Sequence, residues 1–291
     1  MGYSGRYHAA SLVAVFIALA IGIVIGAGLA DDVQTSADAE VEDTLRNDLD
    51  TAEQRADDLD ASLEREQDFS SRVYPAFVDD RLAGTSAAIV GLGGLDDETA
   101  AAVEGALAPS GAEVAARATI AVPPDVESLT DAAGPRWATG RRDNGELERL
   151  GRQIGAGLTG GSKLVDDVGP ELFSRFSGKL TDVSRIVLVP SDLSDLEGGE
   201  RDSTDALLSG IYAGVEAGAT GSVAVELSDT DPTLVGEASA AGISTVDDAD
   251  LPAGQVAIVF SLLGAEGDFG VKDGVDSLMP ELGQPGQTAG P

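Results

Sequence analysis

The pattern along the chain opens with a long apolar run. From Ala9 to Ala30 there is no charged residue over about 22 positions, which as a helix spans roughly 33 Å, close to the hydrocarbon thickness of a bilayer. A cleaved signal peptide has a shorter apolar core. Length therefore favours a retained single-pass transmembrane helix over residues 9–30, although Gly28 and Ala30 offer small residues for cleavage. Arg6 precedes the run and Asp31-Asp32 follow it, so the positive-inside bias predicts a cytoplasmic tip at residues 1–8 and a bulk outside the cytoplasm at the cell membrane. Ala14, Ala18, Gly22, Gly26 and Ala30 recur every fourth position, a small-residue ladder that permits close helix packing in lipid. Ala/Gly-rich anchors also carry such residues without pairing.

The pattern then changes to a heptad. Residues 31–72 contain neither Pro nor Gly, and Leu45, Leu49, Ala52, Ala56, Leu59 and Leu63 alternate spacings of four and three. That is an a/d seam, and it predicts a coiled-coil stalk that makes a homodimer or pairs with a helix of another envelope protein. A lone charged helix packing one face on its own domain is the alternative. A connector with Pro75 follows over residues 73–84.

Beyond it, short apolar runs alternate with helical patterns. Ser86–Val90, Glu113–Ile120, Arg185–Val189, Gly221–Leu227, Ile243–Val246 and Gln255–Leu262 read as strands. Asp97–Ala108, Leu147–Leu158, Thr204–Ala217 and Asp231–Ala241 read as helices, the last with Pro232 in its first turn. The alternation predicts an α/β layered domain with a mostly parallel sheet over residues 85–264. Residues 265–291 read as an acidic, Gly-rich tail, loose after Leu282.

Charge and composition narrow the chemistry. The chain has 51 acidic and 18 basic residues, a net charge of -33, which disfavours nucleic acid as a partner. Membrane lipid is met through the N-terminal run alone. Gly91-Leu92-Gly93-Gly94 follows the first strand, but Asp96 stands where a dinucleotide fingerprint needs a third Gly. His8 is the one histidine and lies before the anchor, and there is no cysteine, so no His- or Cys-based catalytic constellation exists. The chain is expected not to be an enzyme, with no cofactor and no resident metal. Asp247-Asp248 with Asp250, or Asp192 with Asp195, could hold a hard cation weakly; solvated loop acids are the plainer reading.

Several segments resemble a known family. Arg6, His8, Ser11-Leu12, Ala14-Val15-Phe16, Ala18-Leu19-Ala20, Gly22, Val24, Gly26 and Gly28 match the start of the MctB-type copper transporters of actinobacterial envelopes, a family that includes SteB-like proteins. Ile243 to Asp248, Gly254-Gln255 and residues 69–84 match it further along. The family pattern Gly-His-Tyr-Gly stands here as Gly267-Asp268-Phe269-Gly270, so the His is replaced. The resemblance implies a role in copper efflux and homeostasis, with copper as the transported ion. Copper(I) favours thiolate or thioether and copper(II) imidazole, yet after the anchor only Met279 supplies such a group. The resemblance therefore also admits a SteB-like scaffold that binds and regulates envelope or division proteins.

Overall fold

The computed structural model describes the backbone of residues 4–281 and the side chains of 11–26 and 44–281. The chain divides into two units, Met1–Glu66 and Gln67–Pro291.

The first unit is helical. Helix α1 (Ser4–Val78) supplies it and, from Gln67 onward, the first element of the second unit. Among the described residues no helix is long and apolar enough to cross a membrane. The predicted anchor lies partly outside them, because the side chains of 9, 10 and 27–30 are not described. Within it, large apolar side chains from Leu12 to Ile25 are exposed, between 54% for Ile21 and 72% for Val24. The predicted connector is instead helical as far as Val78, with Pro75 inside the helix. Tertiary packing overrides the proline: Tyr74 and Val78 are buried, and the Tyr74 hydroxyl donates to the Ala106 carbonyl.

The second unit is a three-layer α/β domain. In chain order it contains β1 (Ser86–Leu92), α2 (Asp97–Leu107), β2 (Glu113–Ile120), α3 (Val126–Ala133), α4 (Asn144–Gly157), α5 (Lys163–Leu172), β3 (Phe173–Gly178), β4 (Arg185–Pro190), α6 (Gly198–Gly218), β5 (Gly221–Val225), α7 (Gly236–Ala240), β6 (Ser244–Val246), α8 (Pro252–Leu262) and β7 (Asp268–Phe269). The strands form one sheet in the order β3-β2-β1-β4-β5-β6-β7. All neighbours are parallel except β2 and β3. Strands covered on both faces read as continuous apolar runs. In β1, Ala88, Val90 and Leu92 enter a core with α3 to α6, while Ala87 and Ile89 enter another with α2, α8 and the end of α1.

Helices α4 and α6 approach closely because glycines meet backbone. A Cβ on Gly151 would lie 2.3 Å from the Leu207 carbonyl oxygen, and one on Gly214 would lie 2.2 Å from that of Arg152.

Three further sequence expectations change. Gln255–Leu262 is helix, part of α8, not a strand. A run buried on every side carries no period to separate the two, and Pro252 in the first turn starts a helix. The helix expected over Asp231–Ala241 shrinks to Gly236–Ala240. Its first half is held as a loop, with the Thr233 hydroxyl and Leu234 N–H donating to the Glu226 carboxylate at 2.6 Å each. The expected tail from residue 265 joins the domain as far as 281, through β7 and the bonds below; the part after Leu282 lies outside the described residues.

Candidate functional site

Ligands of open parallel sheets bind beyond the strand C-termini, where the strand order reverses. Here the chain moves outward from β1 to β2, then resumes on the other side of β1 at β4. The crevice therefore lies between the loops after β1 and β4. Two cavities of about 280 and 470 Å³ open there and share Pro190, Ser191, Asp192 and Leu234.

The crevice is built against anions. Asp96 caps α2, accepting from the Thr99 N–H and the Thr99 hydroxyl, each at 2.8 Å. Partial burial pushes this carboxyl up, but the Thr99 bonds outweigh it and hold it below the usual range. Asp192 accepts from the Ser194 N–H at 2.8 Å and the Ser194 hydroxyl at 2.9 Å, which lower it likewise. Both acids close local turns. Arg201, which lines the larger cavity, donates to the Leu193 carbonyl at 2.7 Å. A phosphate would meet carboxylates where a cradle supplies free N–H groups.

The second polar cluster lies beyond β5 and β6. Glu226 is buried, and its Oε1 lies 2.7 Å from Lys272 Nζ, which also donates to the carbonyls of Leu227 and Thr230. Asp247, also buried, accepts from the N–H groups of Val271 at 2.8 Å and Lys272 at 3.1 Å. Asp250 accepts from the N–H and hydroxyl of Ser228, each at 2.7 Å. Asp248 is fully buried, and neither of its carboxylate oxygens has a hydrogen-bond partner among the described residues. Burial and the charges of Asp247 and Asp250 push its carboxyl up to about 7. No group of three or more His, Cys, Asp or Glu among the described residues is arranged to hold a metal ion.

The motif at Gly267-Asp268-Phe269-Gly270 is β7 and its flanks. Asp268 accepts from the hydroxyls of Ser239 and Thr245 at 2.7 Å each. Gly267 (φ +147) faces the Phe269 ring, and a Cβ on Gly270 (φ +138) would lie 1.8 Å from Asp247 Oδ1. These residues fasten the segment after α8 to the sheet edge. The sequence reading placed the glycines but missed Lys272, whose signal was its rarity: it is one of only three lysines, with Lys163 and Lys179.

The remaining predicted residues lie on α1. A Cβ on Gly22 or Gly26 would meet nothing within 4 Å, Ala14 and Ala18 are exposed, and the side chain of Ala30 lies outside the described residues. Leu45, Leu49, Leu59 and Leu63 are exposed at 58–65%, and Ala52 and Ala56 are exposed too.

These features define a class: a doubly wound α/β domain with an acidic crevice, preceded by a long helix bearing unpartnered apolar positions. The sequence model described as "Copper transport outer membrane protein, MctB" matches residues 3–280, and the chain belongs to the MctB family. Among its relatives are proteins named "Copper transporter MctB" from Mycobacterium bovis and Mycobacterium tuberculosis. Each is 26% identical over 296 residues, covering 88% of this chain and 91% of the relative.

Proposed function

We propose that this chain serves copper transport as a membrane-tethered, non-enzymatic component of an envelope assembly. The observation that carries the reading is the family match, which spans both the helix and the α/β domain. The uncharged run from Ala9 to Ala30, with exposed apolar side chains in its described part, supports a single-pass anchor with the N-terminus in the cytoplasm. The exposed seam from Leu45 to Leu63 supports pairing with a second copy or with another envelope helix. A chain with no cysteine, one histidine and two methionines has few groups that select copper. The chain accordingly acts on copper through what it assembles with.

That same scarcity, together with the seam, favours a second reading: a scaffold that binds and regulates cell-envelope or division proteins. Deleting the gene and measuring intracellular copper alongside cell shape and wall-hydrolase activity separates the two. Copper accumulation in cells of normal shape supports transport. Division or wall defects at normal copper support the scaffold, and cells unchanged in both respects refute both readings.

A further inference from the structure

The two edges of the sheet are treated differently. At one end β7 has only two residues, and the following chain covers it: Gly270 N–H donates to the Ser277 carbonyl at 3.0 Å, and Asp276 N–H to that of Asp268 at 2.7 Å. At the other end β3 has six residues and pairs on one side only, with β2. Every residue of β3 after Phe173 is exposed. A long exposed edge is a ready template for another strand, and folded proteins usually shorten, cover or charge it.

Beside this open edge lies a cavity of about 720 Å³ between α5 and β3. Val165, Phe173, Phe176 and Leu180 give it an apolar floor, and the Phe173 and Phe176 rings stack at 5.3 Å. Phe176 is 48% exposed.

The charge here runs against that of the chain. Lys163 and Lys179 line the cavity, and Arg175 lies on the strand between the two phenylalanines. Lys272, the third lysine, is committed to Glu226. Lys163 pairs with Asp167 at 2.6 Å and Asp166 also lines the cavity, but Arg175 and Lys179 make no ion pair among the described residues. In a protein of net charge -33, an open strand edge with two uncommitted cations is complementary to an acidic partner.

We propose that β3 accepts an extended acidic segment of a partner protein as an eighth strand, with one apolar side chain of that segment seated in the cavity beside Phe176. Main-chain bonds along the open edge supply affinity, the cavity selects alternate side chains, and Arg175 and Lys179 select carboxylates. A second copy of β3 fits the edge poorly. It would bring two Arg175 guanidiniums onto one short ladder, and β3 has no acid to offset them.

The test uses the full-length chain in detergent and a fluorescent peptide of about ten residues alternating Val and Asp. Its counterpart has Lys for Asp. Saturable binding is expected in anisotropy, with amide exchange slowed in residues 173–178. The Lys peptide, the Arg175→Glu/Lys179→Glu double variant and the Phe176→Ser variant should each bind at least about tenfold more weakly. The altered side chains are exposed, so thermal unfolding should be unchanged; if the double variant does not fold, Phe176→Ser and the exchange measurement decide. Equal affinity for the two peptides, no saturation up to about 1 mM, or binding without slowed exchange in β3 would overturn the proposal. Self-association that blocks the peptide would overturn it as well.

Discussion

Lys272 Nζ lies 2.7 Å from Glu226 Oε1, joining the segment after β7 to the end of β5 across 46 positions of sequence. Glu226 is 3% exposed and the lysine side chain 18%. Removing Lys272 leaves the buried Glu226 charge held only by the Thr233 hydroxyl and the Leu234 N–H, a loss of at most about 3–5 kcal/mol. Lys272→Met should lower the urea midpoint by that scale, and Glu226→Gln/Lys272→Met should recover part of it. A single variant as stable as the parent chain would show that the segment after β7 contributes little to folding.

Glycine substitutions should divide by what a methyl group meets. In Gly214→Ala the new Cβ would lie 2.2 Å from the Arg152 carbonyl oxygen, so α4 and α6 must separate and the domain should lose about 1–3 kcal/mol. In Gly105→Ala, on the exposed face of α2, nothing lies within 4 Å, and reduced freedom of the unfolded chain should add about 0.4–1 kcal/mol. Chemical denaturation of the two variants reads both signs.

The sheet centre was legible in the sequence because β1 and β4 carry apolar runs bounded by turn residues. The edge was not. In Phe-Ser-Arg-Phe-Ser-Gly of β3 every residue after the half-buried Phe173 is exposed, so no buried face imposes a period. Helix α5 had its signal in Ser162, whose hydroxyl accepts from the Val165 N–H at 3.2 Å, and α3 in Asp125, which caps it through Ser128. Both caps precede helices of ten and eight residues, too short for periodicity to stand out. Asp247 looks like an ordinary loop acid and Glu226 like the polar end of a strand, since their shared partner Lys272 lies 25 and 46 positions away.

Asp248 should make the domain less stable as pH rises. Its carboxyl moves from an ordinary 3.8 to about 7 through burial first, then Asp247 and Asp250, with Lys272 opposing. Between those values the folded chain holds a proton that the unfolded chain has released, so stability falls across the window and is flat above it. At about 1.4 kcal/mol per pKa unit the upper bound is ~4 kcal/mol. Urea midpoints should drop between about pH 4 and about pH 7, and Asp248→Asn should flatten the drop. A parent midpoint rising over that interval would contradict the assignment.

The seam on α1 should govern association independently of the α/β domain. Leu49 and Leu59 are exposed at 59% and 65%. In a pair of helices each would enter a hole on the facing helix and lose that exposure, whereas Ala52 and Ala56 fill such holes poorly, so the leucines carry most of the gain. Leu49→Lys with Leu59→Lys places two charges on each side of the seam, where burial is strongly unfavourable. Both positions are already exposed on a continuous helix, so helicity measured by circular dichroism should not change. Crosslinking of the full-length chain, to a second copy or to a partner helix, should be abolished while the urea midpoint of the α/β domain stays constant. Crosslinking that survives both lysines would show that Leu45 to Leu63 is not an interface.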